Sequence, residues 1–159
     1  MPKSLIAFFS YSGNTEVIAN TIKENVGGEL FKIETIESYP TNYNGVVDKA
    51  RQEQNAHYRP ELAAKVTDMD SYDIIYIGYP NWCSTIPMAV FTFLESYDFS
   101  GKTIIPFCTH GGGGMGRSAS DIKKLCPNSN VLEGVAISGS SVNKAGKDVS
   151  AWLSEIGVI

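Results

Sequence analysis

The chain has 159 residues, of which 43% are apolar and 19% are charged, and its formal net charge is −4. This balance argues against a disordered chain, and the length fits one domain over residues 1–159 with a sizeable buried core. Mild acidity without a cluster of lysine or arginine argues against nucleic acid or an anionic membrane as a partner.

Five apolar runs of strand length alternate with helical patterns along the chain. Such an alternation is typical of a parallel sheet that is covered by helices on both faces. We therefore predict an α/β fold with a five-stranded, doubly wound parallel sheet. Pro106 lies inside the fourth run and weakens that strand, because proline gives a sheet no N–H donor. In chain order, the predicted strands cover residues 5–9, 30–33, 73–79, 103–109 and 131–138.

The helical patterns between the strands differ in strength. The last is the clearest, because its apolar residues form one stripe between Ala145 and Ile156. We expect Asn143 to cap the N-terminus of that helix and Gly157 to end it. The weakest pattern lies near residues 45–56, which are mostly polar. The other predicted helices follow residue 15 and cover residues 87–95 and 118–125.

Three segments of unusual composition, residues 10–15, 80–86 and 109–116, follow the first, third and fourth strands. Ligands of doubly wound sheets bind beyond the carboxyl ends of the strands, so we expect these segments to share one ligand. The first segment has hydroxyl groups and backbone N–H groups at the positive end of a helix dipole, which suits a phosphate. A plain N-capping turn is the alternative, but one cap needs fewer such residues. The segment consists of Ser10, Tyr11, Ser12, Gly13, Asn14 and Thr15.

The second segment places a tryptophan directly after a central strand. Trp82 either packs into the core or stacks on a flat ligand, and its place opposite the first segment favours stacking. Asn81 offers an amide donor and a carbonyl acceptor to the edge of a heterocycle. The candidate binding residues are Pro80, Asn81, Trp82, Cys83, Ser84 and Thr85.

The third segment has five glycines in six positions, residues 111–116. A backbone without Cβ atoms can approach a ligand closely, whereas the alternative is a loop that is merely flexible. We expect His110 to be a loop residue near the ligand rather than a general base, and His57 to lie on the surface. The candidate binding residues are Thr109, His110, Gly111, Gly112, Gly113 and Gly114.

Several familiar sites are not supported by the spacing of the residues. The glycine run matches G-x-G-x-x-G only trivially and follows the fourth strand rather than the first, and no nucleotide-triphosphate loop is present. Cys83, Cys108 and Cys126 lack the spacing of a metal site, so we expect no metal. We also expect no catalytic side chain, because no acid–base or nucleophile pair stands out.

The cysteines and the N-terminus also bear on location. An odd number of cysteines, and a first apolar run too short for a signal peptide or a membrane span, indicate a cytoplasmic protein. We expect a monomer without a membrane or nucleic-acid partner.

Residues 8–15, with the sequence Phe-Phe-Ser-Tyr-Ser-Gly-Asn-Thr, resemble the phosphate-binding segment of flavodoxins. Asn81 and Trp82, together with residues 93–95 and 98–102, resemble a short-chain, bacterial flavodoxin-like subgroup. The resemblance covers essentially the whole chain. It implies a parallel sheet in the strand order 2-1-3-4-5 and one noncovalently bound FMN.

The resemblance also implies roles for individual residues. Trp82 would lie beside the isoalloxazine ring, and the backbone of residues 81–85 and 109–114 would line the edges of the ring. Many flavodoxins have a glycine next to flavin N5 that lets a peptide flip, but here Cys83 follows Trp82. A left-handed Cys83 costs about 1 kcal/mol more than glycine, so we expect weaker stabilisation of the one-electron-reduced flavin. The alternative is that the glycine run at residues 111–114 supplies the flip instead. The residues that would hold the phosphate are Ser10, Ser12, Gly13, Asn14 and Thr15.

Three functions remain open from the sequence. The first is a low-potential electron carrier between a reductase and acceptor enzymes, in which the cofactor does the chemistry. The second is an NAD(P)H-dependent quinone or nitro-compound reductase, with Tyr11, Tyr79 and His110 lining an open pocket over the ring. The third is a scaffold without a cofactor, against which the complete phosphate turn argues. The first reading is favoured.

Overall fold

The computed structural model of the chain describes residues 3–159. Strands and helices alternate, as the apolar runs predict. The strands are β1 (Ser4–Phe8), β2 (Glu29–Lys32), β3 (Ile74–Pro80), β4 (Thr103–His110), β5 (Asn130–Val131) and β6 (Val135–Ser138). The helices are α1 (Asn14–Val26), α2 (Tyr43–Asn55), α3 (Met88–Glu95), α4 (Ser118–Leu125) and α5 (Gly146–Glu155), and 3-10 turns occupy Met69–Ser71 and Gly139–Lys144.

The strands form one parallel sheet in the order β2-β1-β3-β4-β5, with β6 also paired to β4. The predicted doubly wound sheet and its strand order are confirmed. Successive residues of β3 point to opposite faces, so Ile75 and Ile77 pack with α3 and α4, whereas Tyr76 packs with α1 and α5. Two apolar cores therefore cover the sheet and hold β1, β3 and β4 in its centre.

The predicted fifth strand, residues 131–138, is wrong as a single strand. Val131 pairs with Ile104 and Val135 pairs with Phe107. Between these two pairs, the segment that links β5 to β6 has three residues, whereas β4 has two. The interruption lies opposite Pro106, which has no N–H to donate toward the fifth strand. β4 itself continues through Pro106, because its register with β3 runs unbroken from Thr103 to Thr109.

The predicted cap of the last helix is also wrong. Asn143 lies within the 3-10 turn before α5, and Ala145 holds the capping position without a side-chain hydrogen bond. The predicted end at Gly157 agrees with the structure, since α5 ends at Glu155 and Gly157 has a φ of 82°. The weakly predicted second helix exists and begins earlier than expected, because Asn42 Oδ1 accepts a hydrogen bond from Gly45 N at 2.5 Å.

β1 and β3 are neighbours, but the helices that follow them, α1 and α3, lie on opposite faces of the sheet, so the carboxyl ends of these strands form the switch point where ligands of such sheets bind. The segments that follow β1, β3 and β4 meet at this edge. Within residues 3–159, every helix is too short or too polar to cross a lipid bilayer.

Candidate functional site

A cleft of about 630 Å³ lies at the carboxyl edge of the sheet. This volume falls within the range of small-molecule sites. All three predicted segments contribute to it, so the structure brings together the parts that the sequence places on one edge. From the predicted residues, the lining comprises Tyr11, Ser12, Asn14, Pro80, Asn81, Trp82, Cys83, Thr109, His110 and Gly111.

The first segment turns the chain from β1 into an open helix N-terminus. Gly13 has a φ of 96°, in the left-handed region that glycine tolerates, and its N–H donates to Ser10 Oγ at 3.1 Å. Among the described residues, no side chain caps α1. The first N–H groups of a helix have no partner within the helix, so an uncapped end beside Ser12 and Asn14 is suited to an anion. The N-capping alternative therefore finds no support.

Thr15 and Thr109 join the first and third segments beneath the cleft. Their hydroxyl oxygens are 2.8 Å apart, and the two residues are 1% and 2% exposed. The Thr15 side chain is buried and is not part of the lining of the cleft, and its role as a phosphate ligand, which the resemblance implies, stays a prediction. The backbone N–H of Thr15, in the first turn of α1, remains at the open helix end.

Trp82 lies between the core and the cleft. Its ring packs edge-to-face on Phe9, Tyr11 and Tyr39, with centroid distances of 5.3, 5.9 and 5.0 Å. The indole is half-buried and also lines the cleft. Both sequence-based alternatives thus describe part of its position, and stacking on a flat ligand stays a prediction.

The second segment contains a tight turn of two residues, which we call the Cys83–Ser84 turn. Trp82 N donates to Thr85 O at 3.0 Å, and Thr85 N donates to Trp82 O at 3.2 Å. Cys83 and Ser84 have φ values of 53° and 73°, the two positive angles of a type I′ turn. Each costs about 1–2 kcal/mol in a residue with a side chain. Thr85 is buried and donates through its hydroxyl to Asp121, so Ser84 and Thr85 support the cleft without lining it.

The glycine-rich segment is ordered by contacts within the protein. Asn81 Nδ2 donates to Gly114 O at 2.8 Å, and Gly112 N donates to His110 Nδ1 at 3.0 Å. The amide nitrogen that we expected to meet a heterocycle is thus used to hold the loop. His110 and Gly111 line the cleft, whereas the predicted residues Gly112, Gly113 and Gly114 do not.

Helix α2 forms a wall of the cleft that the sequence did not predict. Its apolar residues Val46, Val47 and Ala50 face the cleft together with Arg51, and Tyr43 stands at the rim, 78% exposed. The sequence did not predict this position because the helix is mostly polar.

Residues 138–140, from the last residue of β6 onward, also line the cleft. The rule that ligands bind at carboxyl ends of strands would have found this segment. A Cβ at Gly139 would lie 2.7 Å from Asn14 Nδ2, so a side chain there would displace the end of the Asn14 side chain in the cleft.

The relationship of the chain to known proteins matches this geometry. The family model described as flavodoxin matches residues 3–156. The chain belongs to the flavodoxin family. It matches no curated protein.

Solved structures of flavoproteins are similar to this flavodoxin over nearly its whole length. A protein of Bacteroides eggerthii, assigned as a flavoprotein, shares 33% identity with a TM-score of 0.88, covering 100% of both chains. A flavoprotein of Lactobacillus acidophilus, solved in complex with FMN, shares 26% identity with a TM-score of 0.74, covering 91% of this chain and 98% of its own. Flavodoxin 2 of Bacillus cereus shares 21% identity with a TM-score of 0.58, covering 96% and 99%, which is a likeness of fold.

The buried carboxyl and thiol whose pKa values are raised lie behind the cleft of this flavodoxin rather than in its lining. Burial raises the pKa of the Glu53 carboxyl, which is 7% exposed and accepts a hydrogen bond from Tyr39 Oη at 2.7 Å. Burial also raises the pKa of the Cys108 thiol to about 12, which leaves it protonated at neutral pH. Among the described residues, no aspartate or glutamate lines the cleft, so an anionic ligand meets no carboxylate there.

Proposed function

We propose that this flavodoxin binds FMN noncovalently in the cleft and carries electrons between a reductase and acceptor enzymes. The observation that carries the proposal is one cleft with an uncapped helix N-terminus at one end and the Tyr11 and Trp82 rings in its wall. A ligand with an anionic tail and a flat aromatic head fits such a cleft. Membership of the family and the FMN complex of the Lactobacillus acidophilus relative support the choice of FMN.

The residues of the first segment would hold the phosphate by hydrogen bonds alone. Residues 10–15 contain no lysine or arginine, so the donors are the first N–H groups of α1 with the side chains of Ser12 and Asn14. Hydrogen bonds to an anion are about twice as strong as neutral ones, and several converge here. Gly13 and Gly139 have no Cβ, so the backbone at both positions can approach the phosphate closely.

The side chains around the ring would orient it and keep water from its faces. When bound, the isoalloxazine supplies the redox chemistry, and the protein supplies position and field. His110 Nδ1 already accepts from Gly112 N, so this nitrogen holds the loop instead of moving a proton. Electron transfer requires no acid–base side chain from the protein, and among the described residues no aspartate or glutamate lines the cleft.

A reductase that oxidises NAD(P)H and reduces a quinone or nitro compound is the second candidate. One observation favours it: the α2 wall gives the cleft an apolar side at Val46 and Val47 with Arg51 beside it, which suits a second, anionic or aromatic substrate. Steady-state oxidation of NAD(P)H with a quinone, in the absence of any added reductase, distinguishes the two. Turnover would favour the enzyme, and dependence on an added reductase would favour the carrier.

We further propose that the protein is a cytoplasmic monomer that meets its redox partners through charge. Its net charge of −4 is compatible with docking on basic patches of other proteins. Light scattering of the holoprotein tests the oligomeric state, and the salt dependence of reduction by a candidate reductase tests the docking.

The experiment that tests cofactor binding is titration of the apoprotein with FMN, followed by flavin fluorescence. Asn14→Glu places a carboxylate in the cleft, where like-charge repulsion of several kcal/mol would weaken FMN affinity by at least about 100-fold. Asn20→Glu is the matched control, because Asn20 is exposed on the same helix and lies outside the cleft. Equal affinities of the two variants would place the cofactor elsewhere. Thr15 is unsuitable for this test, because its burial makes any charged replacement a test of folding.

A further inference from the structure

A side chain on helix α2 holds the backbone of the Cys83–Ser84 turn from outside the cleft. Gln54 Nε2 donates to the Cys83 carbonyl oxygen at 3.1 Å. Gln54 is half-buried and does not line the cleft, whereas Cys83 does. The hydrogen bond therefore ties the negative end of a peptide dipole to α2 at the wall of the site.

The turn needs such contacts because its conformation is unfavourable. Cys83 and Ser84 both occupy the left-handed region, which residues with side chains adopt only when their surroundings impose it. The Ser84 carbonyl is fixed by a backbone donor, Arg117 N, at 2.8 Å. The Cys83 carbonyl is fixed by the side chain of Gln54, so that contact is the one a substitution can remove.

A second set of contacts from the same end of α2 leads to Trp82, the residue before the turn. Glu53 accepts a hydrogen bond from Tyr39 Oη at 2.7 Å, and the Tyr39 ring packs against Trp82 at 5.0 Å. Adjacent residues of one helix thus hold Trp82 through Tyr39 and Cys83 directly. Helix α2 sets the position of the turn as well as the wall of the cleft.

We propose that Gln54 is a positioning residue that sets the reduction potentials of the bound flavin by holding the Cys83 carbonyl away from it. This inference rests on the proposed binding of FMN. On a bound flavin, each one-electron reduction would take its electron from the reductase, and a proton from solvent would convert a ring nitrogen into an N–H donor. A free carbonyl oxygen at the ring edge would accept that N–H and favour the reduced form. Because the Cys83 carbonyl already accepts a hydrogen bond from Gln54, it would stabilise the reduced ring less than a free carbonyl would.

The first arm of the test uses the apoprotein. Gln54→Met removes the donor while keeping an unbranched side chain of similar length, and Gln54→Leu is the second variant should the first fold poorly. Gln52→Met is the matched control, because Gln52 is exposed on the same helix and outside the cleft. The Thr85 amide, which donates to Trp82 O across the turn, reports its opening by hydrogen exchange. We expect exchange to rise about two- to tenfold in Gln54→Met only. Unchanged exchange overturns the positioning role.

The second arm measures both one-electron midpoint potentials of the FMN-loaded proteins. We expect the midpoint potential of the first one-electron reduction to rise relative to that of the second in Gln54→Met, by roughly 30–60 mV. This shift corresponds to about a three- to tenfold change in the equilibrium constant for forming the one-electron-reduced state, at about 59 mV per tenfold. A separation equal to that of the wild type and of Gln52→Met overturns the redox role. A wild type that takes up no FMN refutes the proposed function and this redox role with it, whereas the exchange experiment still decides whether Gln54 positions the turn.

Discussion

Gly116→Ala tests how the Cys83–Ser84 turn is held by its contact with Gly116. Gly116 has a φ of 57°, and a Cβ there would lie 2.3 Å from the Ser84 carbonyl oxygen and 2.8 Å from its carbon. Both are backbone atoms of a strained turn, so neither can move aside as the end of a flexible side chain does. The Ser84 oxygen also accepts from Arg117 N at 2.8 Å, and moving it would break this hydrogen bond.

The cost of Gly116→Ala is the sum of three effects. A left-handed alanine costs about 1–2 kcal/mol, overpacking about 1–3 kcal/mol, and the lost hydrogen bond about 1 kcal/mol. Gly101→Ala isolates the first effect, because Gly101 has a φ of 77° and a Cβ there would meet nothing within 4 Å. We therefore expect Gly116→Ala to lower the free energy of unfolding by roughly 2–4 kcal/mol more than Gly101→Ala.

Urea denaturation of the two apoproteins measures this difference, and FMN titration measures its effect on the cleft. FMN affinity should fall in Gly116→Ala alone, because the displaced turn includes the cleft-lining Cys83. Equal destabilisation by the two substitutions would show that the Ser84 carbonyl moves freely, and would refute the argument that this turn is rigidly held.

Three further predictions concern buried polar groups. Burial raises the folded-state pKa of Glu53 above 4.5, so the stability that this carboxyl contributes is greatest below pH 4.5 and is lost as the pH rises through the folded pKa. Urea midpoints measured from pH 4 to 8 should therefore fall with rising pH in the wild type. They should not show this fall in Glu53→Gln, which keeps an acceptor for Tyr39. Thr15→Val leaves the Thr109 hydroxyl without its 2.8 Å partner and should lower the free energy of unfolding by about 1–3 kcal/mol. The double variant Thr15→Val/Thr109→Val should lose less than the sum of the two single variants, whereas a strictly additive loss would show that the hydroxyls do not interact. Iodoacetamide at pH 8 should modify Cys83 in the folded protein, and more slowly when FMN is present. Cys108 and Cys126 should react only on unfolding, because burial raises their pKa values to about 12 and about 11. Rapid modification of either buried thiol in the folded protein would contradict this.

The central strands could be predicted because they are buried on both faces. β1, β3 and β4 are continuous apolar runs, and their bounds agree with the predicted ones to within about one residue. The position of the cleft followed from the same reasoning, since the carboxyl ends of these strands share one edge. Pro106 predicts a weakened β4, but the disturbance falls on the neighbouring strands instead, because the side of Pro106 that lacks an N–H faces the gap between β5 and β6.

The residues that the sequence did not reveal depend on tertiary contacts. Helix α2 is mostly polar, and only its packing beside the cleft shows why Val46 and Ala50 are apolar. The left-handed Cys83 and Ser84 are imposed by Gln54 and by the chain near Gly116, so local preference alone would not predict them. The use of Asn81 to hold the glycine loop depends in the same way on a distant partner.

The absence of lysine and arginine from residues 10–15 has a consequence for how the site responds to electrolyte. Short-range hydrogen bonds to a phosphate are hardly screened, whereas attraction between separated charges weakens over a Debye length of about 8 Å at physiological ionic strength. With a net charge of −4, the long-range field repels a dianion, and added salt reduces that repulsion. FMN affinity should therefore stay level or rise slightly from dilute buffer to molar sodium chloride, where a lysine-clamped phosphate site would lose its ligand.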